Sequence, residues 1–148
     1  MRYIDEILQP GETVLFDGTI HWLIYLPGLL LLFIAIASFG AAGAFPPLLL
    51  VAGLFLVFGL AAFLRAWIKR ITTEIAVTNR RIIYKHGLIR RRTIEMNMEK
   101  VESVDVSQSI PGRIFNYGDV LIRGVGVGFE PLHMVDEPIK LRNAIIAK

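Results

Sequence analysis

The sequence predicts a membrane protein of the α+β class, in which a two-helix transmembrane hairpin precedes a small antiparallel β-barrel with a C-terminal helix. Three patterns support this fold class. From Gly18 to Leu64 the chain contains no Asp, Glu, Lys or Arg. After residue 70 apolar and polar residues alternate in short runs, which is typical of half-buried strands. Close to the C-terminus the apolar spacing becomes helical.

The uncharged stretch is long enough for two membrane spans. A helix needs about 20 apolar residues to cross about 30 Å of hydrocarbon, and Phe45-Pro46-Pro47 interrupts the stretch near its middle. We therefore predict spans at 22–42 and 48–68. A cleaved signal peptide is the alternative for the first span, with Ala42-Gly43-Ala44 as the cleavage site. The acidic start of the chain and the second span argue against it.

The charge around the hairpin predicts its orientation. Residues 1–21 carry one basic and four acidic side chains, whereas residues 65–92 carry nine basic side chains and one acidic. Because basic segments remain in the cytoplasm, we expect a multi-pass protein of the inner (plasma) membrane with both termini cytoplasmic. Residue types typical of a membrane interface flank the spans: Trp22, Tyr25, Arg65, Trp67, Lys69 and Arg70.

The spans themselves lack the groups that transport or catalysis requires. Between Leu23 and Leu64 only Tyr25 and Ser38 carry a polar side-chain atom, whereas proton relays and ion pathways need ionisable groups at membrane depth. Small residues, among them Gly53 and Gly59, permit close helix packing, either between the two spans or between protomers. The hairpin is therefore predicted to be an anchor.

The remaining chain predicts short strands and one helix. Residues 1–20 form an N-terminal cytoplasmic segment, whose strand at 12–16 would add to the sheet of a domain at 69–148. Further strands are predicted at 71–78, 81–85, 88–96, 102–107, 119–123 and 129–135. A two-residue turn at His86-Gly87 would place Arg81 opposite Arg92. Asp136 is predicted to be the N-cap of a closing helix at 137–147.

Three segments resemble the bacterial pleckstrin-homology (PH) domain of the "membrane-flanked", YdbS-like type. They are Thr78-Asn79-Arg80-Arg81-Ile82-Ile83 with the His86-Gly87 hairpin, Lys100-Val101-Glu102-Ser103-Val104-Asp105-Val106, and the bend from Pro111 to Val120. Asp136-Glu137-Pro138 with Leu141-Arg142 resembles the helix start of this family. The resemblance implies a PH-like barrel with a C-terminal helix and no enzyme activity. The turn at Asn79-Arg80 is too short for the phosphoinositide cradle of eukaryotic PH domains.

A cluster of basic residues follows the second span and is the candidate binding site. Each Lys or Arg near an anionic leaflet contributes about 1 kcal/mol to membrane binding. The cluster therefore predicts contact with anionic headgroups or an acidic partner, although it could serve topology alone. Its members are Arg80, Arg81, Lys85, Arg90, Arg91 and Arg92.

Other chemistries have little support in the sequence. The chain has no cysteine, and His21, His86 and His133 lack metal-ligand spacing. Gly124-Val125-Gly126-Val127-Gly128 lacks the context of a phosphate loop, so no cofactor is predicted. Nucleic acid is disfavoured because the basic segment directly follows the second span, which would tether it beside the membrane. We expect a non-enzymatic scaffold that forms a homo-oligomer; the alternative is an accessory subunit of a larger membrane enzyme or transporter.

Overall fold

The computed structural model describes residue 4 and residues 7–88, 90–128 and 131–147. The chain divides into two compact units. One combines Met1–His21 with Thr72–Lys148, and the other is Trp22–Ile71. We call the first the β domain and the second the helical unit, and describe each by itself.

Two long apolar helices make up the helical unit. A 3₁₀ turn at Trp22–Tyr25 leads into α1 (Leu26–Ala41), and α2 covers Leu48–Thr72. By length and composition both segments could cross a membrane. The strand expected from residue 71 is wrong at its start, because α2 continues to Thr72. Lys69 and Arg70 in the last turn favour this extension, since cations stabilise a helix C-terminus.

The helices pack on each other through small residues. A Cβ atom at Gly28 would lie 2.8 Å from the backbone nitrogen of Phe63, and one at Gly59 would lie 2.9 Å from that of Leu32. Only glycine permits these backbone approaches. By contrast, a Cβ at Gly53 would meet open space. The buried positions of the two helices are all Gly or Ala: Gly28, Ala35, Ala52, Gly59 and Ala66.

Two four-stranded antiparallel sheets form the body of the β domain. The first has the strand order β1-β2-β3-β4, and in the second β6 pairs with β5, β7 and β8. The strands are β1 (Val14–Gly18), β2 (Glu74–Thr78), β3 (Arg81–His86), β4 (Arg92–Asn97), β5 (Val101–Ser107), β6 (Tyr117–Gly124), β7 (Val127–Gly128) and β8 (Leu132–Asp136). A short helix, α3 (Ile110–Phe115), connects β5 to β6, and α4 (Pro138–Ile146) follows β8.

The two sheets and α4 enclose one hydrophobic core. Leu141 and Ile145 of α4 are buried against side chains of both sheets, so the last helix closes the domain as expected. The other buried members are Ile75, Val77, Ile82, Met96, Met98, Val120, Ile122, Leu132 and Val135. On the opposite face of the first sheet, Ile4 is buried against Ala76 and Ile83. β2 is therefore buried on both faces.

The predicted two-residue turn between β3 and β4 is wrong. Arg81 lies opposite Asn97, and His86 lies opposite Arg92, so residues 87–91 form the loop. The shorter turn would put arginines on the face that carries Met96, whereas the observed register buries Met96 in the core. Gly87 adopts a positive φ of 100° at the start of the loop, a conformation that favours glycine.

The predicted N-cap of the last helix is also wrong. Glu137 occupies the N-cap, with a φ of 49° and no side-chain capping bond. Asp136 is instead the last residue of β8, and its N–H donates to the Thr19 carbonyl oxygen. This backbone pairing, together with the Ile20–Val135 bridge, extends the strand by one residue beyond the expected end.

Candidate functional site

One end of the first sheet carries both chain connections to the helical unit. β1 ends there at Gly18, and β2 begins there at Glu74. In the register of the sheet, Glu74 lies opposite Lys85, and His86 lies opposite Arg92. The loop between β3 and β4 therefore lies at this same end, which we call the connection end.

The loop at the connection end is rich in arginine. Arg90, Arg91 and Arg92 are all exposed, and so is Leu88; Ile89 lies outside the described residues. A Cβ atom at Gly87 would collide with the carbonyl oxygen of Arg90, so the loop returns tightly on itself. We call this loop, together with the adjoining Arg92 at the start of β4, the arginine loop.

The six candidate basic residues do not form one surface. Arg80 and Arg81 lie at the end of the first sheet opposite the arginine loop, because Arg81 begins β3 and pairs with Asn97. Five steps of about 3.3 Å separate the two ends of β3, or about 17 Å. The sequence places these residues close together in the chain, but a strand between them carries them apart. Arg80 is exposed at the far end.

Arg81 is engaged within the β domain. Its Nε and Nη2 each donate to the carboxylate of Glu12 at 2.9 Å, and its Nη1 donates to Glu95 Oε2 at 2.8 Å. Nη2 also donates to the Ile7 carbonyl oxygen at 2.8 Å. The hydrogen bonds that Arg81 donates to the Glu12 carboxylate, together with the charges of Glu95 and Glu12, raise the pKa of Arg81 above its usual value. This guanidinium therefore holds the N-terminal segment on the sheet.

Glu12 completes this network from the N-terminal segment. Its buried carboxylate also accepts hydrogen bonds from Thr78 Oγ1 at 2.7 Å and from the Gln9 N–H at 2.9 Å. Burial alone would raise the pKa of Glu12, but the hydrogen bonds and the charge of Arg81 lower it to about 2. Sequence reasoning missed this residue, since no local pattern links it to a partner 69 positions away.

Lys85 lies at the connection end, one residue before the end of β3, and its side chain is mostly buried. Its Nζ lies 3.6 Å from Glu74 Oε1 across the β2–β3 pair. This ion pair makes Lys85 part of the sheet surface at the connection end. Of the six predicted residues, only Arg90, Arg91 and Arg92 are thus exposed together in one loop.

The residues predicted to mark a membrane interface occur in the 3₁₀ turn before α1 and near the end of α2. The Tyr25 ring stacks on Phe63 at 5.1 Å, and the Arg70 guanidinium lies 5.6 Å from the centroid of the Tyr25 ring. Cation–π contact of this kind is attractive. Trp22, Arg65, Trp67 and Lys69 are exposed.

A cavity of about 740 Å³ opens beside the Glu12–Arg81 pair, at the end opposite the arginine loop. Three carboxylates and two arginines contribute to its wall, which makes it a poor site for a simple anion. Its lining includes Glu12, Arg80, Arg81, Glu95 and Glu99. Among the described residues, no group of three His, Asp or Glu side chains is arranged to hold a metal ion.

Two antiparallel sheets and a closing helix define a PH-like domain, and two apolar helices lie between its strands β1 and β2 in the chain. A model of the bacterial PH domain family matches residues 24–148. The chain therefore belongs to the bacterial PH domain family, whose domains are binding modules. The match identifies the family and not its YdbS-like type. A search of curated proteins and a search of solved structures each found no significant match.

Proposed function

We propose that this protein is a non-enzymatic binding module, anchored in the inner membrane by α1 and α2, whose arginine loop contacts anionic lipid headgroups on the cytoplasmic side. The observation that carries the proposal is the position of the loop. Arg90, Arg91 and Arg92 are exposed at the end of the first sheet where the chain passes to and from the two apolar helices.

The chain connection supports a location close to the bilayer. α2 ends at Thr72 and β2 begins at Glu74, so a single residue links a helix that could span a membrane to the sheet. With the helix in the bilayer, the connection end of the β domain would be held near the headgroups. The basic residues Lys69 and Arg70 in the last turn of α2 support a cytoplasmic position for this side.

The expected strength of the contact is moderate. Three arginines at an anionic surface contribute about 3 kcal/mol, at about 1 kcal/mol each, and the contribution falls off within a Debye length. That is too weak to recruit a soluble protein firmly, but it is enough to orient a domain that is already anchored. We therefore propose that lipid contact sets the orientation of the β domain, so that its remaining surface is available to protein partners.

Self-association is a further part of the proposal. Gly53 lies on α2 with open space around it, whereas Gly59 is used in the contact between α1 and α2. Gly40 of α1 is similarly open. Small residues that are free of the intramolecular contact support helix packing with a second copy. Chemical cross-linking in native membranes tests this point, and a single cross-linked product with an unrelated membrane protein would favour the accessory-subunit alternative.

The lipid proposal is tested with the full chain in mixed bilayers of phosphatidylcholine and phosphatidylglycerol. The protein is extracted with limited detergent, and the ratio of the two retained lipids is measured. We expect enrichment of phosphatidylglycerol that disappears in the Arg90→Gln/Arg91→Gln/Arg92→Gln variant. The enrichment is also expected to fall at about 1 M salt, where the Debye length is about 3 Å.

A second triple variant controls for net charge. Arg80→Gln, Lys100→Gln and Arg142→Gln remove the same charge from exposed positions away from the arginine loop. This control is expected to retain the enrichment. Equal loss in both triple variants would mean that only total charge matters, and unchanged enrichment in the loop variant would contradict the proposed contact.

A further inference from the structure

The short helix α3 exposes an unusual apolar surface. Ile110 and Ile114 are 78% and 72% exposed, and Phe115 is 48% exposed. Ile110 and Ile114 are four positions apart and therefore share one face of the helix. Large aliphatic side chains are rarely exposed to this extent in a cluster unless the cluster is an interaction surface.

The other side of α3 is fixed to the β domain. A Cβ atom at Gly112 would lie 2.6 Å from the Tyr117 carbonyl oxygen, so the helix is in close contact with the start of β6. Ser109 caps the helix by accepting the Gly112 N–H at 3.2 Å, and Asn116 ends it in the left-handed region with a φ of 60°. The apolar face is thus presented by a well-defined turn.

α3 ends beside the point where the chain enters the helical unit. Tyr117 follows the C-cap of α3, and its ring stacks on His21 at a centroid distance of 5.1 Å. The N–H of His21 donates to the Met134 carbonyl oxygen at 2.8 Å, which fixes this residue on β8. His21 directly precedes Trp22, where the first apolar segment begins.

We propose that α3 inserts Ile110, Ile114 and Phe115 into the boundary between headgroups and acyl chains of the membrane that holds the two apolar helices. The inference rests on the proposed membrane anchor. An apolar helical face of this kind gains free energy by insertion into the interfacial region. Arg113, on the same turn, can extend its charged end toward the phosphates while its aliphatic part remains among the apolar side chains.

The bilayer is favoured over a soluble partner because of the tether. Trp22 would enter the bilayer surface with the first apolar segment. The ring of its neighbour His21 stacks on Tyr117, which directly follows the C-cap of α3. A tethered surface acts at an effective concentration in the millimolar range, which a free protein partner does not reach. Apolar insertion by α3 and charge contact by the arginine loop are then two separate membrane contacts of the β domain.

Single cysteines provide the test, because the natural chain has none. A nitroxide label is placed on Ile114→Cys, on Val125→Cys and on Phe33→Cys in the full chain, reconstituted in phosphatidylcholine vesicles. For each label, the rate of collision with oxygen, which concentrates in lipid, is compared with the rate of collision with a water-soluble nickel chelate. Val125 is the matched control, since it is 64% exposed and apolar but lies at the opposite end of β6.

We expect the label at position 114 to collide severalfold more with oxygen than with nickel, and the label at position 125 to show the reverse. Position 33 lies in α1 and reports on the anchor itself. If the label at position 33 behaves as lipid-exposed while 114 resembles 125, the α3 inference is overturned and the anchor stands. If position 33 is water-exposed, the proposed anchor fails first.

Two more outcomes decide between occupants. A label at position 114 that is shielded from both reagents would show that protein covers α3, which overturns the proposal in favour of a second copy or a partner. A lipid signal at position 114 that persists in phosphatidylcholine at high salt supports apolar insertion, because the arginine loop contact requires anionic lipid and low salt.

Discussion

Replacing Glu12 with Gln is expected to release β1 from the first sheet. The Glu12 carboxylate is fully buried and accepts two hydrogen bonds from Arg81, one from Thr78 and one from the backbone of Gln9. The substitution removes the charge that faces the guanidinium and keeps the size of the side chain. The loss of stability therefore measures the contribution of the charge and not that of side-chain packing.

The expected magnitude follows from burial. Removing one partner of a buried ion pair costs about 3–5 kcal/mol. Arg81 retains Glu95 and is 14% exposed, so we expect the lower end, about 3 kcal/mol. Since about 1.4 kcal/mol is a factor of ten in an equilibrium constant, opening of β1 should become about 100-fold more frequent.

Hydrogen exchange of the full chain in lipid nanodiscs measures this opening at the amides of β1. Glu95→Gln is the matched control, because Glu95 bonds the same guanidinium but is 41% exposed. Exposed pairs contribute about 0–1 kcal/mol, so the control should accelerate exchange by less than about fivefold. Equal acceleration in the two variants would refute the reasoning that burial determines the strength of this contact.

The Glu12 carboxylate, the contact between α1 and α2 and the arginine loop can each be tested by a further perturbation. The pKa of Glu12 is about 2, below its usual 4.5, so the stabilisation of the folded β domain by this carboxylate is complete above pH 4.5 and is lost as the pH falls toward 2. Hydrogen exchange of the β1 amides, corrected for its intrinsic rate, should accelerate over that pH window in the wild type and not in Glu12→Gln. In the detergent-solubilised monomer, where the proposed contact with a second copy is absent, Gly59→Ala should destabilise the helical unit by about 1–3 kcal/mol through backbone collision. In the same monomer Gly53→Ala, in open space, should be neutral or stabilising by up to about 1 kcal/mol, and thermal denaturation checks the order of the two variants. Gly87→Ala should destabilise the arginine loop by at least about 1 kcal/mol, because Gly87 has a φ of 100° and an added Cβ atom would collide with the Arg90 carbonyl oxygen. We expect faster hydrogen exchange confined to β3 and β4, and an unchanged exchange pattern would contradict this prediction.

The apolar helices and most strands could be predicted because each has a local cause. An uncharged stretch interrupted by Pro46 and Pro47 indicates two helices whatever the rest of the chain does. Alternation of apolar and polar residues similarly indicates strands, although it does not determine the residue at which a strand begins or ends. Thr72 belongs to a helix and Glu74 to a strand, although both fit the same alternation of apolar and polar residues.

The positions of the candidate arginines depend on the register of β3 and β4, which the sequence constrains only weakly. Moving the turn between β3 and β4 from two residues to five transfers Arg90 and Arg91 from a strand to an exposed loop. The basic cluster was therefore predicted by composition, but its division between two ends of the sheet was not. Glu12 could not be predicted as the partner of Arg81, since long-range pairing leaves no periodic signal.

The most direct test of the central claim is the environment of the arginine loop in a bilayer. A solvent-sensitive fluorophore is attached to Leu88→Cys, an exposed loop position, in the full chain reconstituted with or without phosphatidylglycerol. We predict a blue-shifted emission that requires the anionic lipid and is reversed at about 1 M salt. Emission typical of water in both lipid mixtures, equal to that of the same label at Val125→Cys, would contradict the claim that this loop contacts the membrane.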